Sequence, residues 1–321
     1  MVATPPTLTL SNGNKMPIAG LGTWQTDNQE LAETAIEAAI EAGYRLIDTA
    51  ALYGNEQYVG NVLKKLFDSG KLHREDIFIT TKVWSTNLHP DRQEGSVKES
   101  LRKLQVEYVD LLLAHMPTVL EADGKTQDHS VKVEDIWRGM ERFYNRGLAR
   151  AIGVSNWSVE QMERVRKIAK IPIHNTQNEI HIFFPQEKLV DYCKQHNITV
   201  TSYASIGSPG RIVKSVGGTN FDWEESPDMF AVPEVVELSK KYNKTPAQIL
   251  LRYLIDRDII VVPKSSNANR VKENISIFDF KLTPEEVDRL NHNKHRQILF
   301  VQHHMIGNPE DGLKEFRAWA H

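Results

Sequence analysis

The strongest constraint on the fold is a repeated alternation, running from Ile18 to Ser265, of short apolar β-rich runs with stretches of helical period. "IAGLGTW" is short, apolar and bounded by glycine, which reads as a strand. "NQELAETAIEAAIEAG" then carries its apolar residues at helical spacing and stops at Gly43. Further strands follow at "YRLIDTA", "DIFITTKVW", "VDLLLAHMP", "ARAIGVSN", the more polar "IHNTQNEI", "ITVTSYASIG" and "IIVVPKS", with helical stretches between them. Strands apolar on both faces describe a parallel sheet covered by helices. Eight such units within about 250 residues is the number that closes a (β/α)8 TIM barrel. The expectation is an α/β chain forming one barrel domain over residues 1–321. Ahead of the barrel, "TLTLSNGNKMPIAG" alternates on both sides of "NG" and predicts an N-terminal β-hairpin.

An open doubly wound sheet is the rival architecture, and it normally carries G-x-G-x-x-G after its first strand. Here that strand gives "GLGTWQ", with Gln25 where the third glycine belongs, and neither "GSPGR" nor "SVGGTN" is a P-loop. A dinucleotide, if bound, needs another geometry. Long irregular stretches at 117–130 and 206–228 are expected to be functional loops at the C-terminal face. The aromatic, His-rich tail from Arg296 is expected to pack over one mouth of the barrel.

Composition excludes several function classes. A net charge of −3 gives no electrostatic reason to expect nucleic acid or an anionic membrane. No apolar run approaches the roughly 18 residues of a membrane span. The start of the chain lacks the pattern of a signal peptide, and Cys193 is the one cysteine, so the protein is expected to be cytoplasmic and free of internal disulfides. His303 and His304 are adjacent with no cysteine or carboxylate at ligand spacing, so no metal is expected.

Barrels place their chemistry at the C-terminal ends of the strands. Those ends carry Asp48, with Tyr53 in the loop after it, then Lys82, His115, Ser155 with Asn156, Gln177, Tyr203 and Lys264. Each alone has a plain explanation: a capping acid, a packed tyrosine, a solvated lysine, a core histidine. Together at one barrel face they describe a proton donor. A phenol has a reference pKa near 10, and an ammonium such as Lys82 stabilises its phenolate and is expected to lower that value. A buried lysine needs a carboxylate partner, which Asp48 supplies. His115 then orients a substrate oxygen beside the phenol.

The stretches "GLGTW", "AGYRLIDTAALYGNE", "TTKVW", "LLLAHMP", "ARAIGVSN", "TQNEIH", "VTSYASIGSPGR" and "VVPKSSNANRVKENISIFDF" follow one another in an order that resembles the aldo-keto reductases, particularly their aldose-reductase-like branch. The resemblance implies reduction of aldehydes or ketones with NADPH, bound extended across the C-terminal mouth without a Rossmann domain, by a monomer acting on a small-molecule carbonyl substrate. It implies the catalytic set Asp48, Tyr53, Lys82 and His115, with Tyr53 as general acid. Tyr203 matches the residue stacked on the nicotinamide, and Ser155, Asn156 and Gln177 those bonded to its carboxamide. Lys264, Ser265 and Arg270 match the group around the adenosine 2′-phosphate, and Glu273 and Asn274 the adenine contacts. Gly22, Thr23, Trp24, Asp48, Ala204, Ile206, Ser208, Ser266 and Asn267 complete the implied cofactor site. Trp24, Leu52, Tyr53, Trp84, His115 and Met116 match the substrate pocket. A barrel that holds NADPH for a regulatory or structural purpose, with little turnover, is the alternative.

The chain departs from that pattern at two places. Relatives close a salt-bridged belt over the pyrophosphate, and the corresponding positions here are Gly210 and Gln25, so that latch is expected to be missing. Met116 stands where aldose reductase has tryptophan, so the resemblance does not carry over the identity of the substrate.

Overall fold

The computed structural model describes residues 5–211, 223 and 225–319; most of the 212–224 part of the long 206–228 loop and the last two residues of the tail lie outside them. The N-terminal hairpin pairs Thr7–Thr9 with Lys15–Pro17. It lies over the N-terminal end of the barrel, where the Nδ2 groups of Asn12 and Asn14 donate to Arg150 O at 2.9 and 3.1 Å.

The barrel strands are β1 (Leu21–Gly22), β2 (Leu46–Asp48), β3 (Phe78–Val83), β4 (Leu111–Ala114), β5 (Ile152–Ser155), β6 (Asn175–Glu179), β7 (Thr199–Tyr203) and β8 (Ile259–Val261). Each is parallel to its neighbour in chain order. The first and last segments then meet. Gly20 N donates to Val261 O at 2.9 Å, Val261 N to Ile18 O at 3.0 Å and Gly22 N to Pro263 O at 3.1 Å, with a parallel bridge between Gly22 and Lys264. Glycine is needed at this seam, because a Cβ on Gly22 would stand 2.4 Å from Val262 O. The sheet is a closed (β/α)8 barrel.

Helices α1 (Gln29–Glu41), α2 (Glu56–Asp68), α3 (Pro90–Leu104), α4 (Val133–Asn145), α5 (Val159–Arg166) and α6 (Glu187–Gln195) each follow one strand. Among the described residues two α-helices, α7 (Pro233–Tyr242) and α8 (Pro246–Ile255), lie between β7 and β8, and α9 (Ala268–Ile275) and α10 (Pro284–Asn291) follow β8. Their starts carry the expected signals. Asn28 accepts Leu31 N, and Ser158, Thr245 and Thr283 form capping boxes with Gln161, Gln248 and Glu286.

The helical pattern of "SVEQMERVRKIAK", 158–170, continues four residues past the end of α5 at Arg166. Glu141 Oε1 accepts the N–H groups of Lys170 at 2.6 Å and Ile171 at 2.8 Å, so a side chain from α4 takes the donors that would have continued α5. The 117–130 stretch holds a small hairpin, Val119–Leu120 against Gln127–Asp128. The weak sixth strand is polar and wholly buried, and its side chains pair within the barrel. Asn175 donates to Thr199 and Thr201, and Thr176 to Asn178. This strand was hard to read because its polarity serves internal partners rather than solvent.

Candidate active site

Short strands and abrupt turns bring the candidate residues to one mouth of the barrel. Asp48 ends β2, and a single 3-10 turn, Ala51–Tyr53, folds the chain back at once, closed by Gly54 at φ 70°. This is why Tyr53 lies over Asp48. The turn is pinned by Asn55, whose Nδ2 donates to Thr23 O at 2.7 Å and whose Oδ1 accepts Thr49 Oγ1 at 3.1 Å. Lys82 rises from β3, and His115 follows β4 directly.

At the floor, Lys82 Nζ donates to Asp48 Oδ1 at 2.6 Å, to Thr49 O at 2.9 Å and to Tyr53 Oη at 3.3 Å. The second carboxylate oxygen of Asp48 accepts Gln177 Nε2 at 2.7 Å. The ring of His115 lies edge-on to Tyr53 at 5.9 Å and to Trp84 at 5.1 Å between centroids. Asn156, in the left-handed region at φ 63°, donates Nδ2 to His115 O at 3.0 Å and Ser155 Oγ at 3.2 Å, and accepts Tyr203 Oη at 2.7 Å. The same amide lies 3.4 Å from the sulfur of Met116.

These contacts set the charge states. Burial pushes the Tyr53 phenol above its ordinary value; Lys82 opposes this and Asp48 adds to it. Lys82 thus pulls the phenol's pKa down as expected, but the expectation of a net lowering is corrected: the phenol ends above its ordinary value. The desolvation cost of a phenolate exceeds the help from an ammonium whose charge Asp48 already largely cancels. Burial alone would depress Lys82, but Asp48 and Tyr53 outweigh it, and the amine ends above the ordinary lysine value. Burial, with the Lys82 charge nearby and a smaller push from His304, holds His115 well below the ordinary histidine value, so its imidazole is neutral.

A cavity of about 470 Å³ opens above this floor. It is lined by Gly22, Thr23, Trp24, Leu52, Tyr53, Trp84, His115 and Met116, by Ser155, Asn156, Gln177 and Tyr203, and by Ala204, Ile206 and Ser208. Lys264, Ser265, Ser266, Arg270, Glu273 and Asn274 line its outer end. Two of the residues expected at the site are not on its surface. Lys82 lies beneath the floor. Asn267 turns away to cap α9, its Oδ1 accepting Asn269 N at 3.0 Å and Arg270 N at 3.1 Å. Lys264 is half-buried and Arg270 exposed, and neither makes an ion pair with a described residue. Burial holds the Lys264 ammonium below the lysine range; Asp27 opposes this and Arg270 adds to it.

Sequence reasoning missed the roof. Trp223 and Phe300 line the cavity, packed at 4.7 Å, and each meets Trp24 at 5.7 Å. The aromatic tail was the available signal, and it did place a ring over the mouth. Gln25 and Gly210 are joined in a way the sequence did not announce. Among the described residues no ion pair forms there, yet Gln25 Nε2 donates to Gly210 O at 3.1 Å, so a neutral bond joins the two sides. Among the described residues no cluster of histidine, cysteine or carboxylate side chains could hold a metal, and no helix is long and apolar enough to cross a membrane.

The closed barrel, with its buried polar floor and its cavity at the C-terminal ends of the strands, places the protein among (β/α)8 barrels that work at that mouth. The model of the aldo/keto reductase family matches residues 19–294. Aldo-keto reductase family 1 member A1-A of Danio rerio is 38% identical over 327 residues, covering 98% of this chain and 96% of that protein. The Homo sapiens member A1 is 36% identical over 292 residues, covering 88% of this chain and 87% of its own length. Among solved structures, the aldose reductase of Schistosoma japonicum superposes with a TM-score of 0.86 at 36% identity, covering 97% of this chain and 99% of that one. A Bombyx mori aldo-keto reductase, solved in complex with NADP, does so with a TM-score of 0.85, also at 36% identity and with the same coverage. This chain belongs to the aldo/keto reductase family.

Proposed function

We propose that the protein reduces aldehydes or ketones to alcohols with NADPH, using Tyr53 as the proton donor. The observation that carries this reading is the Lys82 ammonium held between the Asp48 carboxylate and the Tyr53 hydroxyl, beside a neutral His115 at the floor of the cavity. A phenol kept protonated by burial is an acid ready to donate. The ammonium beneath it stabilises the phenolate as the proton leaves. His115 donates a hydrogen bond to the carbonyl oxygen and orients it toward Tyr53.

The cavity fits the cofactor. Lys264 and Arg270, without ion-pair partners among the described residues, suit a phosphate dianion at one end. At the other end the ring of Tyr203 offers an aromatic face, with the amides of Asn156 and Gln177 and the hydroxyl of Ser155 around it. NADPH, when bound, supplies the hydride for the carbonyl carbon. Asn156 and Gln177 would hold the nicotinamide end above the floor, and Glu273 and Asn274 would take the adenine. Trp24, Leu52, Trp84 and Met116 exclude water from the reacting carbonyl. The proposed setting is a monomer in the cytoplasm; the single cysteine, buried and reduced, and a site built from one chain support it.

The test is consumption of NADPH against a panel of short, aromatic and sugar-derived carbonyls. Turnover with at least one class is expected. Tight NADPH binding without turnover on any would overturn the enzymatic reading.

A further inference from the structure

Glu179 ends β6, two residues beyond Gln177, and is buried. Its Oε1 accepts Leu299 N at 2.6 Å and its Oε2 accepts Phe300 N at 2.9 Å. Oε1 also accepts His181 Nε2 at 2.8 Å. The other ring nitrogen of His181 accepts Phe183 N at 3.2 Å and Phe184 N at 3.1 Å, so the imidazole proton sits on Nε2 and points at the carboxylate. Glu179 lies outside the cavity lining and bonds to none of Asp48, Tyr53, Lys82 or His115. It serves the C-terminal strap.

That strap carries part of the cavity wall. Phe300 packs edge-on to Trp24 at 5.7 Å and Tyr203 at 5.5 Å, Gln302 also lines the cavity, and His304 lies 5.4 Å from Trp84. Between Phe300 and Glu310 its regular structure is a single 3-10 turn, His303–Met305, and its own backbone bonds are short-range turns such as Asn308 N to Met305 O, so anchors on the barrel fix where it lies. The far end is held by Arg164, whose Nη1 and Nη2 each reach Glu310 at 2.9 Å. The middle is held by Gln127 Nε2, which donates to His304 O at 2.9 Å and Ile306 O at 3.0 Å. The near end, where the wall meets the floor, has Glu179.

We propose that Glu179, oriented by His181, is a positioning residue for substrate specificity. By fixing the backbone at Leu299 and Phe300 it holds the Phe300 wall against Tyr203 and Trp24, and so sets how wide a carbonyl reaches Tyr53. The proposal rests on the carbonyl-reductase reading above. Glutamine at this position has one acceptor oxygen for three donors, and its own amide group faces at least one of them. The wall then loosens while the floor stays intact.

The experiment compares wild type, Glu179→Gln, Phe300→Ala and the double variant with propanal and with an aromatic aldehyde that wild type reduces. For Glu179→Gln the KM for the aromatic aldehyde is expected to rise about tenfold, the size of one lost charge-assisted contact. kcat with propanal stays within about twofold. Phe300→Ala produces a similar loss, and the double variant adds little to it. Hydrogen exchange at the Leu299 and Phe300 amides accelerates by at least about tenfold in Glu179→Gln. His181→Gln keeps both backbone bonds and gives the same pattern at smaller size, which serves if the glutamate variant fails to fold. Equal kcat losses with both aldehydes, unchanged exchange, or strictly additive effects would overturn the proposal while leaving the reductase reading standing. A wild type inactive toward every carbonyl would defeat that reading, and the specificity role with it.

Discussion

At the floor of the cavity Asp48, Lys82, Tyr53 and Gln177 satisfy one another, whereas at its outer rim Lys264 and Arg270 stand without an ion-pair partner among the described residues. The floor is a closed circuit of largely buried polar groups, so removing a member leaves another buried and unbalanced. The rim is more open: Arg270 is exposed, and only the half-buried Lys264 carries a desolvation cost, which an arriving anion would relieve. The two regions therefore predict different kinds of damage: the floor should fail in rate and stability, the rim in affinity alone.

Tyr53→Phe gives the largest expected effect. General acid catalysis is worth about 10²–10⁴-fold, and the other groups near the floor are poor replacements, since His115 is neutral and the Lys82 ammonium is held by Asp48 beneath the cavity surface. Steady-state reduction should fall by that factor while NADPH affinity, read by fluorescence titration, stays nearly constant. Retention of more than a tenth of kcat would show that the proton comes from elsewhere. Lys82→Met comes next. It strands the Asp48 carboxylate and should cost about 3–5 kcal/mol of stability in urea unfolding, with part of this regained on adding Asp48→Asn. A fully stable Lys82→Met protein would mean that the floor is less tightly coupled than its geometry indicates.

The rim is sharpened by Arg270→Met, expected to weaken NADPH by about 1.5–3 kcal/mol with little change for NADH. Equal losses for both would assign the residue a structural part. Lys264 adds a pH dependence. Its ammonium is depressed by burial, so the Lys264 share of the preference for NADPH is complete below its folded pKa and is lost as pH rises through it, earlier than an ordinary lysine at about 10.4 would allow. A preference that stays flat to pH 10.4 and falls only there would remove Lys264 from the phosphate site. The smallest effect belongs to the neutral bond between Gln25 and Gly210. A neutral hydrogen bond contributes about 0.5–1.5 kcal/mol, so Gln25→Ala should speed NADP⁺ release only a few-fold. The ratio of the variant and wild-type release rates should be insensitive to salt, which stopped-flow measurements at two ionic strengths would check.

Periodicity made the barrel legible because strands and helices declare themselves locally, and the strand ends then located Asp48, Lys82, His115 and Tyr203 without further help. Tyr53 could be placed because its turn follows Asp48 so closely. What stayed hidden depends on partners distant in the chain. Glu179 read as one more polar residue of an awkward strand, because its partners lie 120 and 121 positions later. Phe300 and Trp223 carry no local pattern that aims a ring at the mouth. The direction of the Tyr53 shift was also not available from residue types, since it turns on how much water the folded site excludes. At Gln25 the sequence showed that charge was absent but not that an amide would reach a backbone carbonyl instead.

The seam between Gly22 and the segment after β8 has a consequence for the making of the protein. On the ribosome β1 appears first, yet the strand that flanks its open side is among the last to emerge. At roughly 5–20 residues per second, the intervening chain takes on the order of ten seconds or more to be made. Throughout that interval the growing sheet has two unpaired margins, each a template for stray pairing. Translation past Lys264 is thus the event that turns a ribbon open to misassembly into a ring with no edge to offer.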